Sequence, residues 1–472
     1  MRFVVVVVVV GLLSGCLHTQ DNRALVIAGE RPSVLVVRDA RVFTATSQEA
    51  LEHHDVVVRG GKIEAVRPTG EEIPAGAVVV EGAGRTLLPG LVDAHAHAFV
   101  IAAPPWFLVW PEPEHVLQEL LYAGTTTYHD LCAPLDDVIA LRDRVAAGDV
   151  VGPRILASGP MLTAPEGYPV SMTARIMPAF VAWSSRRTHS REPADAAAAK
   201  AVVDEFADRG VALIKIALAS TPDGTPVIAP AVLDAIVQSA HARGLKVVAH
   251  IDTADNALLA ARHGVDVLVH GVHSSELTVE QAKEIASHKM VVAPTLLTFE
   301  RLDELRREAV GFSSLERESI APNVQHALTH MPEDYALDKD LLAWMDHLDK
   351  HRESRLVQNT KRLFDAGVPI LVGTDGQGSD GSFPAGIHKE MQLLVKAGVP
   401  NADVLLGATA RSAHMLLADP SFGTIEAGKD ADLLLVEGNP LEDISATEKI
   451  VTLIQGGRIL QRLPPASSSS EK

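Results

Sequence analysis

Leu88-Pro-Gly-Leu-Val-Asp-Ala-His-Ala-His97 is the stretch on which the fold turns. An apolar run ends in His95-Ala-His97, and on an extended strand that alternation turns both imidazoles to one face. Beyond it, short apolar runs alternate with helix-like stretches, the signature of parallel strands joined by crossover helices. The runs are 88–94, 125–131, 154–158, 212–217, 246–250, 267–270, 290–294 and 369–374. They give the eight strands that a (β/α)8 TIM barrel requires, placed over residues 87–420. Residues 193–209, rich in alanine with apolar positions at helical spacing, typify the helices between. Residues 299–365 exceed one crossover and read as an inserted helical lid.

Before the barrel, short strands alternate with glycine turns, as in the hairpin around Gly60-Gly61. Strand character returns at 431–436 and 450–454, followed by Gly456-Gly457. Both ends of the chain are therefore expected to build one small β-sandwich domain, residues 33–86 with 421–462. Residues 16–32 read as a tether, and the serine-rich 463–472 as a disordered tail.

The chain has 472 residues, 47% of them apolar and 22% charged, enough to bury a sizeable core. Lys plus Arg is 42 against 60 for Asp plus Glu, a net charge of −18, which argues against a nucleic-acid partner. Only Cys16 and Cys132 are present, so a disulfide framework and a four-cysteine zinc site are excluded. Arg2 precedes an apolar run from Phe3 to Leu13 that is too short to span a bilayer and suits a signal-peptide core. Leu13-Ser-Gly-Cys16 resembles the lipobox of bacterial lipoproteins. The resemblance implies removal of residues 1–15, acylation of Cys16, and a membrane anchor in the cell envelope. Leu17 in place of an aspartate favours the outer membrane if the source is Gram-negative.

Side chains at the carboxyl ends of parallel barrel strands converge on one pocket. Read in order, those ends carry His95 and His97, then Lys215, His250, His270 and Asp375. Six such groups at one rim suit two divalent metals. Lys215 is the most telling, because an unpaired ammonium buried in a parallel strand is costly and burial favours the neutral amine. That amine either takes up carbon dioxide, becoming a carbamate that bridges two cations, or stays unmodified as a charge or base.

These residues carry a resemblance over essentially the whole chain past the leader. The sequence resembles the amidohydrolase superfamily, in the branch of imidazolonepropionase-like and Xaa-Pro dipeptidase-like enzymes. The matching stretches include Leu88 to His97, Gly124 to Asp130, Leu213 to Ile216, Val247 to His250, Val269 to Gly271, Gly373 to Asp375, and Gly423 to Leu433. The resemblance implies that His95, His97 and Asp375 hold one metal, His250 and His270 the second, and carbamylated Lys215 bridges them beside a hydroxide. Asp375 would relay the nucleophile's proton to the leaving nitrogen. Zinc suits a nitrogen-rich site best, with manganese, iron or cobalt as alternatives. Mononuclear deaminases of the superfamily carry a glutamate where this chain has Thr253, and they lack the lysine, so deamination and strict imidazolonepropionase activity are disfavoured.

Substrate recognition is weakly marked. Dipeptidase-like relatives tend to carry Gly-His-Gly after the third strand, and here Tyr168 replaces that histidine; His129 stands where arginine is usual. Trp106, Phe107 and Trp110 are candidates for an apolar wall or for simple loop packing, and Cys132 reads as a small buried hydrophobe. The expectation is a metal-dependent hydrolase of a small-molecule amide, a dipeptide or N-acyl amine, attacked by a metal-bridging hydroxide. The alternative is an ester, lactone or organophosphate at the same site; a non-catalytic periplasmic binding protein ranks below both. A homo-oligomer is left open.

Overall fold

The computed structural model describes residues 17–18, 25–100, 107–109, 112–177, 179–221, 224–307, 309–330, 352–376 and 383–463. Seven of the eight expected parallel strands are present: Leu91–Ala96, Thr125–Asp130, Arg154–Ala157, Leu213–Leu218, Lys246–Ile251, Val267–Val269 and Val291–Ala293. The first three form one parallel sheet and the last four belong to another, extended by Met161–Leu162 and Ser190–Arg191. Ala212 N donates to Ala157 O at 2.8 Å, joining the two sheets at the third and fourth strands. Helices lie between the strands. Ala196–Asp208 shows why: Asp195 caps it by accepting from Ala198 N, and Ala199, Val203 and Phe206 form its buried stripe.

The eighth run differs from expectation. Instead of a continuous strand, it makes isolated parallel bridges, Ile370 with Val292 and Gly376 with Ala96. Its hydrogen bonds explain the break. Leu371 N bonds Val292 O on one side and Ala94 N bonds Val372 O on the other, but Val372 N turns away to Gly407 O. Thr374 N and Asp375 N then both converge on His95 O, at 3.1 and 2.7 Å, so no regular ladder forms. Gly373 permits this approach, since a Cβ there would lie 3.0 Å from both Cβ and N of His95. Gly90 plays a similar part at the strand entry, where a Cβ would meet Thr126 Oγ1 at 2.2 Å.

Both ends of the chain build one nine-stranded mixed sheet. Arg85–Pro89 pairs antiparallel with Leu433–Glu437, and Leu25–Ala28 with Arg458–Leu463. The stretch read as a tether thus contributes a strand. Period-two alternation divides Val34–Val42 between two apolar clusters, Leu35 and Val37 on one side, Val34 and Val36 on the other. The Cys16 expectation and the tail from 464 lie outside the described residues, while Leu463, expected in the tail, ends the strand Arg458–Leu463.

The long insertion is helical where described, with Leu296–Arg306, Ser314–Ser319, Pro322–Thr329 and Arg352–Asp365. Arg301 Nη2 meets Glu316 Oε1 at 2.7 Å, each side chain only 2% exposed, and Arg301 Nη1 donates to Gly311 O at 2.6 Å. Tyr122 Oη donates to Glu318 Oε2 at 2.8 Å, tying the insertion to the body. An apolar cluster of Val109, Ile320, Val324, Leu328 and Phe383 joins it to the loops after the first and eighth runs. Leu17–His18 pairs in parallel with Leu108–Val109, in the loop after the first strand.

Candidate metal centre and active site

Alternation along Leu91–Ala96 places His95 on the inner face, and His97 follows one pleat later. Both reach the same acceptor: Nε2 of each lies 3.0 Å from Asp375 Oδ1. Ligand atoms of His95, His97 and Asp375 all fall within 4.8 Å of one another, as one cation requires. His250, at the end of the fifth strand, and His270, just past the sixth, complete the group. Ring centroids are 4.2 Å apart for His250 and His270, 4.8 Å for His95 and His270, and 5.1 Å for His95 and His97. His270 and Asp375 have φ of 58° and 55°, a left-handed conformation uncommon outside glycine, and it occurs at both strand ends here.

Lys215 is wholly buried, and its Nζ has no hydrogen-bond partner among the described residues. Burial pushes its amine down to about 7, with Asp375 and Cys132 pulling the other way. Near neutral pH a large share is then unprotonated, the form that reacts with carbon dioxide. His95 is driven down to about 3 by burial and then by the charge of Lys215, so its imidazole is neutral and able to ligate. Burial alone would raise Asp375, but His95, His270 and the His95 and His97 hydrogen bonds hold it well below the usual carboxylate range. Nδ1 of His95 and of His97 are likewise buried without partners. Buried polar atoms are ordinarily satisfied, so the orphaned Lys215 Nζ, with Asp375 among its electrostatic neighbours, marks an incomplete set. A nitrogen-rich set with a carboxylate fits divalent transition metals.

Groups that the strand-end pattern does not single out support these ligands. Asp93 accepts from His95 N at 3.0 Å, Thr374 N at 3.1 Å and Thr374 Oγ1 at 2.6 Å, fixing the first strand against the eighth run. Burial raises its carboxyl to about 7 despite those bonds. Its spacing of two before His95 was the available signal, since that places it on the same face. Thr295 Oγ1 lies 2.8 Å from His270 Nδ1 and orients that ring. Asp252 accepts from Ser220 N and Thr221 N, both at 2.8 Å, and from Asn256 Nδ2 at 2.7 Å, bracing the end of the His250 strand. Thr253 caps helix Ala254–Arg262 by accepting from Asn256 N.

Of the weaker candidates, Tyr168 joins the site, stacked on His250 at 4.3 Å between ring centroids. His129 is wholly buried, neither ring nitrogen has a partner among the described residues, and burial pushes it down to about 3. Trp106 and Trp110 lie outside the described residues, and Phe107 is half-buried. The Cys132 thiol donates to His189 O at 3.3 Å and is pushed up to about 12 by burial and by Asp130, as an inert thiol would be.

Parallel strands, outer helices and a metal-capable cluster at the strand ends make a TIM-barrel-like α/β fold with a candidate metal centre. Residues 86–460 match the model of the amidohydrolase family. The chain belongs to that family. An imidazolonepropionase of Shouchella clausii (strain KSM-K16) is 23% identical over 441 residues, 91% of this chain and 86% of that protein. A crystal structure of a Xaa-Pro dipeptidase with methionine bound in its active site superposes with a TM-score of 0.72 at 20% identity, covering 90% of this chain and 99% of the other. A putative prolidase from Bifidobacterium longum gives 0.69 at 26% identity, covering 94% and 97%. Adenine deaminase 2 of Bradyrhizobium sp. (strain ORS 278) matches at 36% over only 84 residues, so the chain spans just 14% of that curated relative's length.

Proposed function

We propose that this chain hydrolyses a small amide, a dipeptide or N-acyl amine, at a centre of two divalent metals, with zinc suiting the ligands best. The observation that carries the reading is Lys215 Nζ, buried and unpartnered beside four histidines and Asp375. His95, His97 and Asp375 would hold one ion and His250 and His270 the other, with Lys215 as a carbamate between them. When bound, such ions lower the pKa of water and polarise a carbonyl. Asp375, ionised at neutral pH, accepts the proton of the attacking water and delivers it to the leaving nitrogen as the C–N bond breaks. The products are a carboxylic acid and an amine. Tyr168, stacked on His250, borders the substrate's space.

The Ala157–Ala212 and Val292–Leu371 hydrogen bonds support a closed (β/α)8 barrel. The apolar cluster of Leu35, Val56, Leu87, Leu433 and Ile454 supports reading the nine-stranded sheet as a β-sandwich. The leader sequence supports a chain anchored in the cell envelope through lipid on Cys16, with a small molecule as its substrate. Among the described residues no helix is long and apolar enough to cross a membrane.

Dipeptides and N-acyl amino acids, assayed beside esters and lactones on zinc- and bicarbonate-supplemented enzyme, test the reaction. Turnover of amides with two metals per chain is expected; turnover of esters alone would replace the amide reading with its rival. No bound cation after supplementation would favour a binding protein. Palmitate labelling that survives Cys16→Ser would refute the anchor.

A further inference from the structure

The helix Ala179–His189 belongs to the excursion between the third and fourth parallel strands, on the rim that holds the metal ligands. Its exposed positions Phe180, Trp183, Ser184 and Arg187 follow the spacing of one helical stripe, while Ala182 on the other side is buried. Phe180 is 41% and Trp183 65% exposed, the latter the most exposed large apolar side chain described. The Arg187 guanidinium lies 5.1 Å from the Trp183 ring centroid. The helix holds no acidic residue, in a chain of net charge −18. Arg186 pairs with both Glu166 and Glu192; with Arg175, Arg187 and Arg191 the local balance is four arginines against two glutamates, a net of +2.

Two contacts fix this helix to the active-site mouth. His189 Nε2 lies 3.2 Å from Phe99 O, just past the His95–His97 strand, and Cys132 Sγ donates to His189 O. Tyr168, which opens the same excursion, stacks on His250. A separate observation brings Leu17–His18 to the same rim. Leu17 pairs with Leu108 and His18 with Val109, in the loop after the first strand. Leu17 follows Cys16 by one peptide bond, behind the apolar run Phe3 to Leu13.

We propose that Ala179–His189 is a membrane-docking helix that lays the active-site mouth against an anionic phospholipid surface. Trp beside Phe, with arginine at the polar edge, is the composition that settles at the headgroup boundary. An acidic body is repelled by an anionic bilayer, so the face that approaches must be locally basic and apolar, as this stripe is. The same charge of −18 on each copy disfavours self-association through one pair of aromatics. The docking adds to the lipid anchor proposed above: the Leu17 argument rests on that reading, while the stripe itself uses none of the anchor's residues.

The test uses the full chain labelled with bimane at Trp183→Cys, Cys132 being buried, and mixed with phosphatidylethanolamine–phosphatidylglycerol vesicles carrying lipid tails brominated near the headgroup. The reference label is Ile27→Cys, at an exposed position in the nine-stranded sheet. Quenching at position 183 is expected to exceed that at 27 at least fivefold, and to persist in Cys16→Ser. Adding Phe180→Ser should reduce it severalfold with the thermal midpoint unchanged. Equal quenching at both positions overturns the proposal, as does a position-183 spectral shift that grows with protein concentration without vesicles. The latter would assign the stripe to a second copy of the chain.

Discussion

Thr374 and Asp93 close the seam between the last and first parallel runs: the Thr374 hydroxyl donates to Asp93 Oδ2 at 2.6 Å while its backbone N donates to Oδ1 at 3.1 Å. The same hydroxyl accepts from Gly376 N at 2.9 Å, so one oxygen fixes the approach to Asp375 from both sides. Thr374→Val keeps the shape and removes both bonds. It should cost about 1–3 kcal/mol of stability in urea unfolding, because Asp93 is left under-satisfied inside the fold. It should also lower kcat more than it raises KM, since Asp375 loses its alignment. Unchanged kcat would separate the seam from the chemistry.

Lys215→Ala should abolish turnover, by about a thousandfold or more, and reduce bound metal. Asp375→Ala should do the same. If Lys215 carries a carbamate, a small carboxylate such as propionate, filling the space left in Lys215→Ala, should restore part of both activity and metal content. Rescue by short amines instead would show that the lysine acts unmodified.

His388 supplies an acid-sensitivity that is independent of the metal site. Buried between Ala123 O and Thr447 Oγ1, it is held down to about 4, chiefly by burial and against its bond to Ala123. The unfolded chain takes up this proton near pH 6.5 and the folded chain only near 4, so stability is lost as pH falls across that window. The loss at the low end is about 3 kcal/mol. His388→Gln can keep both hydrogen bonds without titrating, and should flatten urea-midpoint curves between pH 6.5 and 4.

The buried pair Arg301–Glu316 should reveal itself by asymmetry. Arg301→Ala strands the Glu316 charge and should cost about 3–5 kcal/mol, with faster proteolysis near residues 299–330. Arg301→Met with Glu316→Leu removes both charges and should recover most of that loss. Full additivity of the two single losses in the double variant would show that the pair is not coupled.

The centre was legible because parallel strands of one polarity turn position along a strand into position in space. His95, His97, Lys215, His250, His270 and Asp375 each ended or sat within an apolar run; His95, His97 and Asp375 cluster within one ion's reach, the rings of His250 and His270 adjoin them, and Lys215 is an electrostatic neighbour of Asp375. The eighth run read as a strand because it is apolar, yet hydrogen bonding from Thr374 and Asp375 to a single carbonyl of His95 interrupts its ladder. Apolar pattern reports burial, and cannot report where an amide donates. Leu25–Ala28 read as tether because a four-residue edge strand has too little pattern to stand out, and only Arg458–Leu463, far along the chain, gives it a partner. Asp93 lies inside the most informative stretch, yet pattern alone does not mark it, since its role depends on Thr374 at a sequence distance of 281.

The sheet made from both ends imposes an order of events. Arg85 and Glu437, ion-paired across it, are 352 residues apart. At ordinary synthesis rates the early strands wait on the order of half a minute for Leu433–Glu437 to be made. Throughout that interval Arg85–Pro89 offers an open edge beside the strand that leads into His95. The last-made strands therefore act as a latch: a nascent or truncated chain could have every ligand translated and still lack the support on which the first ligand strand rests. Degradation of interrupted chains, not partial activity, is the expected fate of such products.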